Sequence, residues 1–191
     1  KLGFLDDSDI AYLEVEEKQF ANRQLKFGDI ILEKSGGGPK QPVGRVITFE
    51  KTEGLFSISN FTSIIRVLDS SVLSYKYLHR FLYWFYLSGG TLEMQHHSTG
   101  IRNLNFNSYK KIQIPLPPLS EQERILEMLD EALEAIEIAK ANTEKNIANA
   151  KELFQGYVNS SFSVNWDRGK EKPLGEIAEL IDSLHSTPSY I

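Results

Sequence analysis

The sequence predicts an α+β protein in which a mixed α/β globular domain is followed by one long coiled-coil-type helix. Two observations predict this class. Up to residue 119, short segments rich in β-branched residues surround one aromatic segment with helical spacing. After a run of prolines, an apolar stripe then continues from Ile125 to Tyr157. With 191 residues, 41% of them hydrophobic, the chain is long enough for one core and an appendage.

Four short segments predict the strands of the globular domain, residues 1–119. They read LKFGDIILEK, where a Gly-Asp turn precedes an apolar run, then VGRVITF, IIRVL and KIQIPL. Between them, SYKYLHRFLYWFYLSGG predicts a helix that begins after Ser74 and ends at Gly89. Its apolar residues recur at helical spacing, so we expect them in the core: Tyr77, Leu78, Phe81, Leu82 and Phe85.

The proline run at residues 115–118 separates this domain from a long helix, predicted over residues 120–161. Proline lacks an N–H and fixes φ, so the run continues neither a central strand nor a helix. Ser120 and Glu123 then match the S-x-x-E capping box that begins a helix. About 40 residues without proline would give a helix roughly 60 Å long.

One face of this predicted helix is apolar or small, and a stripe of this length must be buried against another helix. The predicted pairing residues are Ile125, Leu129, Ala132, Ile136, Ala139, Thr143, Ile147, Ala150 and Phe154. Residues 162–191 then predict a linker and a new pattern. A short helix from Pro173 to Ser183 would turn Ile177, Leu180 and Ile181 inward.

Composition excludes several classes of protein. The chain has no cysteine, which excludes disulfides and thiolate metal sites and fits a reducing cytoplasm. No apolar run approaches the length of a membrane span. The formal net charge is −5, yet residues 34–111 carry 10 Lys and Arg against 4 Asp and Glu. This block suits a polyanion, although an ordinary solvated basic face would have the same composition.

The glycine-rich stretch KSGGGPKQPVG is the first candidate for contact with DNA. It does not match a nucleotide-binding P-loop, because no Ser or Thr follows Lys40. Glycine amides let a backbone approach phosphates closely, and nearby cations neutralise them. The candidate residues are Lys34, Lys40, Gln41 and Arg45, and a plain solvent loop remains an open alternative.

The stretch MQHHSTGIRNLNFNSYKK is the second candidate, because it is rich in side chains that hydrogen-bond base edges. Arg can pair with guanine, and Asn or Gln with adenine, through two hydrogen bonds. The same residue types are also common in loops. The candidate residues are Gln95, His96, His97, Ser98, Arg102, Asn103 and Asn105.

Spacing supports neither a metal site nor a catalytic site. Adjacent His96 and His97 would point apart on a strand, and no H-x-x-x-H partner lies nearby. No Ser/His/Asp set or carboxylate pair has a spacing that supports catalysis. We therefore expect a non-catalytic protein without metal or cofactor.

Four stretches together resemble the specificity subunit of type I restriction-modification enzymes. They are LKFGDIILEKSGGG, YLHRFLYWF, TGIRNLNFNSYKKIQIPLPPLSEQERI and KPLGEIAELIDSLHSTPSY, and they cover nearly the whole chain. Members of this family carry two target-recognition domains, each followed by a long helix, and the two helices pack antiparallel as a spacer. Each domain reads half of a bipartite DNA sequence, while partner subunits carry out methylation and ATP-driven cleavage.

The resemblance implies the organisation of this chain. Residues 1–119 would be one recognition domain, incomplete at its N-terminus, followed by the spacer helix at 120–161 and, at 162–191, the start of a second recognition domain. Expected partners are double-stranded DNA, the methyltransferase and restriction subunits, and a second copy of the chain in an antiparallel dimer. Two alternatives remain: a coiled-coil scaffold without DNA binding, and the specificity part of a fused restriction enzyme and methyltransferase.

Overall fold

The computed structural model describes residues 5, 10–38, 41–98, 101–166 and 169–181. The chain divides into two compact units, residues 1–133 and 134–191. The first unit holds all the described strands, whereas the regular elements described in the second are helices. This confirms the α+β class with a long helix.

A three-stranded antiparallel sheet forms the centre of the first unit, with β1 (Asp29–Glu33) between β3 (Val46–Phe49) and β4 (Thr62–Ile65). Ile30 pairs with Thr48 on one side and with Ile65 on the other. Ile30 and Leu32 are almost fully buried, whereas Ile31 and Glu33 are less buried, so one face of β1 lies on the core. Three of the four predicted strands are therefore present, although β4 ends at Ile65.

The aromatic segment forms helix α2 (Tyr75–Leu87), as its spacing predicts. Gly89 follows with φ at 81°, a conformation that glycine adopts without strain. Tyr77, Leu78 and Leu82 are buried, and Phe81 packs against the core. The core cluster joins this helix to the strands and contains Ile30, Leu32, Val43, Val46, Leu78, Leu82, Leu104 and Tyr109.

A second antiparallel sheet has the order β2–β6–β5, with β2 at Ser35–Gly37, β5 at Gln95–Ser98 and β6 at Ile101–Leu104. Three short helical segments are also described in this unit. They are α1 (Glu17–Ala21), a 3-10 turn at Leu92–Met94 and α3 (Phe106–Tyr109).

The predicted strand at KIQIPL is wrong. Residues 112–118 form neither strand nor helix, although Ile112 and Ile114 pack against the core. The apolar residues of this segment are therefore partly buried without forming a strand. The prolines that follow lack an N–H and cannot donate the hydrogen bonds of a β-sheet.

The long helix α4 runs from Leu119 to Trp166, 48 residues, so it begins one residue earlier and ends later than predicted. The predicted capping box is wrong. The carbonyl of Pro118 accepts hydrogen bonds from the amides of Glu121 (2.9 Å) and Gln122 (3.0 Å), which makes Pro118 the capping residue. Ser120 therefore lies inside the first turn.

The predicted helix at Pro173–Ser183 is much shorter in the structure, where α5 spans Leu174–Ile177. Ala178 is already extended, with φ at −147°. The inward orientation expected of its apolar residues is wrong, since Ile177, Leu180 and Ile181 are 66%, 81% and 84% exposed. Ser183 lies outside the described residues.

Candidate nucleic-acid interface

The two candidate stretches meet in the second sheet. Strand β2 comes from the glycine-rich stretch, and β5 and β6 come from the stretch around Arg102 and Asn103. Asn103 on the central strand pairs with Ser35 on one side and with His96 on the other. Ser35 and Asn103 are 68 residues apart in the sequence, and a hydrogen bond joins their side chains. The two stretches thus form one surface.

The two faces of this sheet differ in polarity. Leu104 is buried, and its register partner Gln95 lies on the same face. Asn103 belongs to the opposite face with its partners Ser35 and His96, of which His96 is exposed. We call the face bearing Ser35, His96 and Asn103 the outer face. Its polar row is available to a ligand.

Arg102 and Asn103 are neighbours on β6, so their side chains start from opposite faces of the sheet. Arg102 pairs in register with Gly37, which has no side chain, and with His97. Arg102 is partly exposed, and within the described ranges no carboxylate lies at ion-pair distance from it. At this position, which we call the glycine edge, the neighbouring strand β2 places no side chain beside Arg102.

Two of the predicted base-reading amides serve the fold. Gln95 donates from Nε2 to the carbonyls of Val43 (2.9 Å) and Thr91 (2.8 Å), and its Oε1 accepts from the amide of Val43 (3.1 Å). Asn105 caps α3 by accepting a hydrogen bond from the amide of Ser108 (3.2 Å). These bonds position the sheet and its following helix, and they occupy groups that a base would need.

Asn103 has a different arrangement. Its Oδ1 accepts a 2.6 Å hydrogen bond from the hydroxyl of Ser35. Its Nδ2 has no acceptor among the described residues, and this atom is not one of the buried unpaired polar atoms. The amide is thus held at its oxygen end, while its nitrogen end has no partner in the part of the chain that the structure describes.

The cations of the glycine-rich stretch are not equivalent. Arg45 forms a two-point ion pair with Glu33, at 2.8 and 2.7 Å, and this hydrogen bonding raises the pKa of Arg45 above its usual value. Lys34 is partly exposed and has no carboxylate partner in the part of the chain that the structure describes. Lys34 is therefore better placed than Arg45 to neutralise a phosphate.

Glycine is required where the stretch folds back on itself. Gly36 has φ at 99°, and a Cβ on Gly37 would lie 2.7 Å from the carbonyl oxygen of Gln41. The backbones of Gly38 and Gln41 bond to each other in both directions, and Gln41 is exposed. Lys40 lies outside the described residues, as do the side chains of His97 and Ser98, whose backbones belong to β5.

Phe61 lies beside this sheet and is not among the residues predicted from the sequence. Its carbonyl accepts hydrogen bonds from the amides of Lys34 (2.9 Å) and Ser35 (3.2 Å), and its ring lies next to Gly36. The ring is half exposed, so it offers an apolar contact for a sugar or a thymine methyl. The sequence around Phe61 did not indicate a contact with β2, because the residues of β2 are distant from it in the chain.

The predicted pairing stripe of α4 is largely solvent-exposed. Leu129, Ile136, Ile147 and Phe154 are 41%, 58%, 53% and 70% exposed, and only Ile125 is partly buried. The smaller members are exposed too: Ala132, Ala139, Thr143 and Ala150. The Thr143 hydroxyl donates to the carbonyl of Ala139 (2.8 Å), so this polar group is satisfied within the helix.

The family model of the type I restriction modification DNA specificity domain matches residues 8–149. The chain belongs to this family. The match includes both sheets, α2 and the first part of α4. The candidate interface therefore lies wholly within the matched specificity domain.

A protein of Haemophilus influenzae, provisionally named a type I restriction enzyme specificity subunit, is 30% identical over 136 residues. The aligned part is 68% of this chain and 31% of that protein. The chain thus spans about a third of the length of this curated relative. No described helix of this specificity-domain protein is long and apolar enough to cross a membrane, and no three described His, Asp or Glu residues are grouped to hold a metal ion.

Proposed function

We propose that this chain is part of the specificity subunit of a type I restriction-modification system and reads one half of a bipartite DNA site. The recognition domain, residues 1–119, would contact duplex DNA through the outer face and the glycine edge of the β2–β6–β5 sheet. The observation that carries the proposal is the joining of two separately predicted stretches in one sheet with an accessible polar row. Family membership supports the same function.

Within this surface, the residues have different roles. Lys34 would neutralise a phosphate, and Asn103 and His96 would face base edges. Arg102 would contact the DNA beside Gly37, and the ring of Phe61 would make an apolar contact with a sugar or a thymine methyl. Gln95 and Asn105 would act indirectly, by holding the sheet.

We propose that α4 is the spacer helix and that its exposed stripe pairs with a second long helix. In this chain the available partner is a second copy. An antiparallel pair about a twofold axis near Ala139 to Thr143 would bury the stripe and separate the acidic first turns around Glu121. The same helix pair would dock methyltransferase subunits, and a restriction subunit would join that assembly.

The chain would have no turnover of its own, because partner subunits would carry out methylation, ATP hydrolysis and cleavage. Any of these activities in the purified chain would contradict this part of the proposal. The alternative of a fused restriction enzyme and methyltransferase would place the same recognition domain within a larger polypeptide. A coiled-coil scaffold without DNA binding would not require the polar outer face.

Duplex binding separates recognition from the scaffold alternative. The chain should bind labelled duplex DNA, and log affinity should fall linearly with log salt, with a slope of about −0.9 for each neutralised phosphate. Lys34→Ala should reduce this slope by about one phosphate, whereas Lys151→Ala on α4 should leave it unchanged. Absence of binding at low salt would contradict the proposal.

A further inference from the structure

The amide of Asn103 has two chemically different ends, and the one that faces a base decides what the residue can read. Oδ1 accepts hydrogen bonds and Nδ2 donates them. In an unrestrained side chain the amide rotates, and the two ends exchange places. A constraint on this rotation therefore acts on specificity.

The structure supplies such a constraint from the neighbouring strand. The Ser35 hydroxyl is 2.6 Å from Oδ1 of Asn103, and the two residues are register partners on adjacent strands. The amide of Ser35 donates to the carbonyl of Phe61, so the backbone that carries the hydroxyl is itself held. With Oδ1 held by Ser35, Nδ2 lies at the other end of the amide and has no acceptor among the described residues.

We propose that Ser35 is a positioning residue that orients Asn103 to present Nδ2, a donor, to an acceptor on a base edge. This inference rests on the proposed DNA recognition and deepens it. In the major groove the acceptors are N7 and O6 of guanine, N7 of adenine and O4 of thymine. Ser35 itself need not touch DNA.

The test begins by selecting duplexes from a randomised pool with the parent chain. Affinities are then measured for the selected duplex and for each single base-pair substitution of it. Ser35→Ala should lower discrimination at one base pair by about 2- to 12-fold, the range expected for one net hydrogen bond. Affinity for random duplex and the salt slope should not change.

A double-mutant cycle separates positioning from a general structural effect. Asn103→Ala should lower discrimination at the same base pair, and adding Ser35→Ala to it should have no further effect. Ser35→Thr keeps the hydroxyl and should restore discrimination. Ser88→Ala is the matched control, because it removes a serine hydroxyl whose hydrogen bond, among the described residues, is to the carbonyl of Trp84 at the end of α2.

The outcomes distinguish the two proposals. If the parent chain selects no sequence, DNA recognition fails and the positioning role fails with it. If the parent selects a sequence but Ser35→Ala keeps full discrimination, only the positioning role is overturned. It is equally overturned if Ser35→Ala has the same effect with and without Asn103, or if Asn103→Ala alters no base pair.

Discussion

Gln122, the fourth residue of α4, donates a 2.8 Å hydrogen bond from Nε2 to the carbonyl of Val72, in the loop that precedes α2. The same atom donates to the carbonyl of Pro117 (2.9 Å), and Oε1 accepts from the amide of Ser74 (2.9 Å). Gln122 has no exposed surface. One buried amide thus holds the start of α4 to the start of α2 within the first unit.

Replacing this amide should destabilise the fold. Gln122→Leu keeps most of the volume but removes three hydrogen bonds, which should lower the free energy of unfolding by about 1.5 to 4.5 kcal/mol. Urea denaturation measures the loss. Gln155→Leu is the matched control. In the described part of the chain Gln155 bonds the exposed Asn159, so this substitution should change stability by less than about 0.5 kcal/mol. Equal effects of the two substitutions would contradict the anchoring role.

His79 should make stability depend on pH. It is 4% exposed, and its Nε2 has no partner in the described part of the chain. Burial lowers the pKa of His79 below 6.5, helped by Arg80 and opposed by a hydrogen bond to the backbone of Val46 and by Glu50. The unfolded chain therefore binds the proton more readily than the folded chain, and stability falls as pH drops below about 6.5.

The measurement is the free energy of unfolding of the parent and of His79→Leu at several pH values from 7.5 to below 6. The parent should lose stability over this range, and the loss should level off below the lowered pKa of the folded state. The variant should lack this component of the pH dependence, whatever its absolute stability. Parallel pH profiles would show that His79 does not titrate differently on unfolding.

The stripe on α4 predicts self-association. Ile136 lies on the stripe and is 58% exposed, whereas Ile138 is 55% exposed and lies two residues, about 200°, around the helix. Ile136→Glu should dissociate a dimer without unfolding the recognition domain, because it places a charge in the paired face. Ile138→Glu makes the same chemical change off the stripe and should leave the dimer intact.

Sedimentation over a concentration series provides the readout for both variants. A parent chain that remains monomeric at tens of micromolar would refute pairing between copies. Dissociation by Ile138→Glu but not by Ile136→Glu would move the interface to another face of α4.

The sequence predicted most of the local structure but not the long-range contacts. Short apolar runs rich in β-branched residues located β1 and β3, and helical spacing located α2, because each pattern reflects burial within one element. The same logic failed at residues 111–116, where Ile112 and Ile114 are partly buried without belonging to a strand. Burial alone therefore does not specify that a segment hydrogen-bonds into a β-sheet.

The candidate interface shows the same limit. Residue types identified the two polar stretches, yet the pairing of Ser35 with Asn103 depends on the folding of the intervening chain. Spacing also could not reveal that Gln95 and Asn105 bond their own backbone surroundings, or that Glu33 pairs with Arg45. The sequence predicts no role for Gln122, and the packing of the folded chain shows that it is buried.

The most direct test of DNA contact is site-specific photo-crosslinking to the selected duplex. A benzoylphenylalanine would replace His96, which is exposed on the outer face, or Trp84, which is 58% exposed on α2, as the matched control. We predict a crosslink to DNA from position 96 that survives competition by random duplex, and little or none from position 84. Crosslinking from position 84 but not from position 96, with DNA bound in both samples, would contradict the assignment of the β2–β6–β5 sheet as the DNA-reading surface.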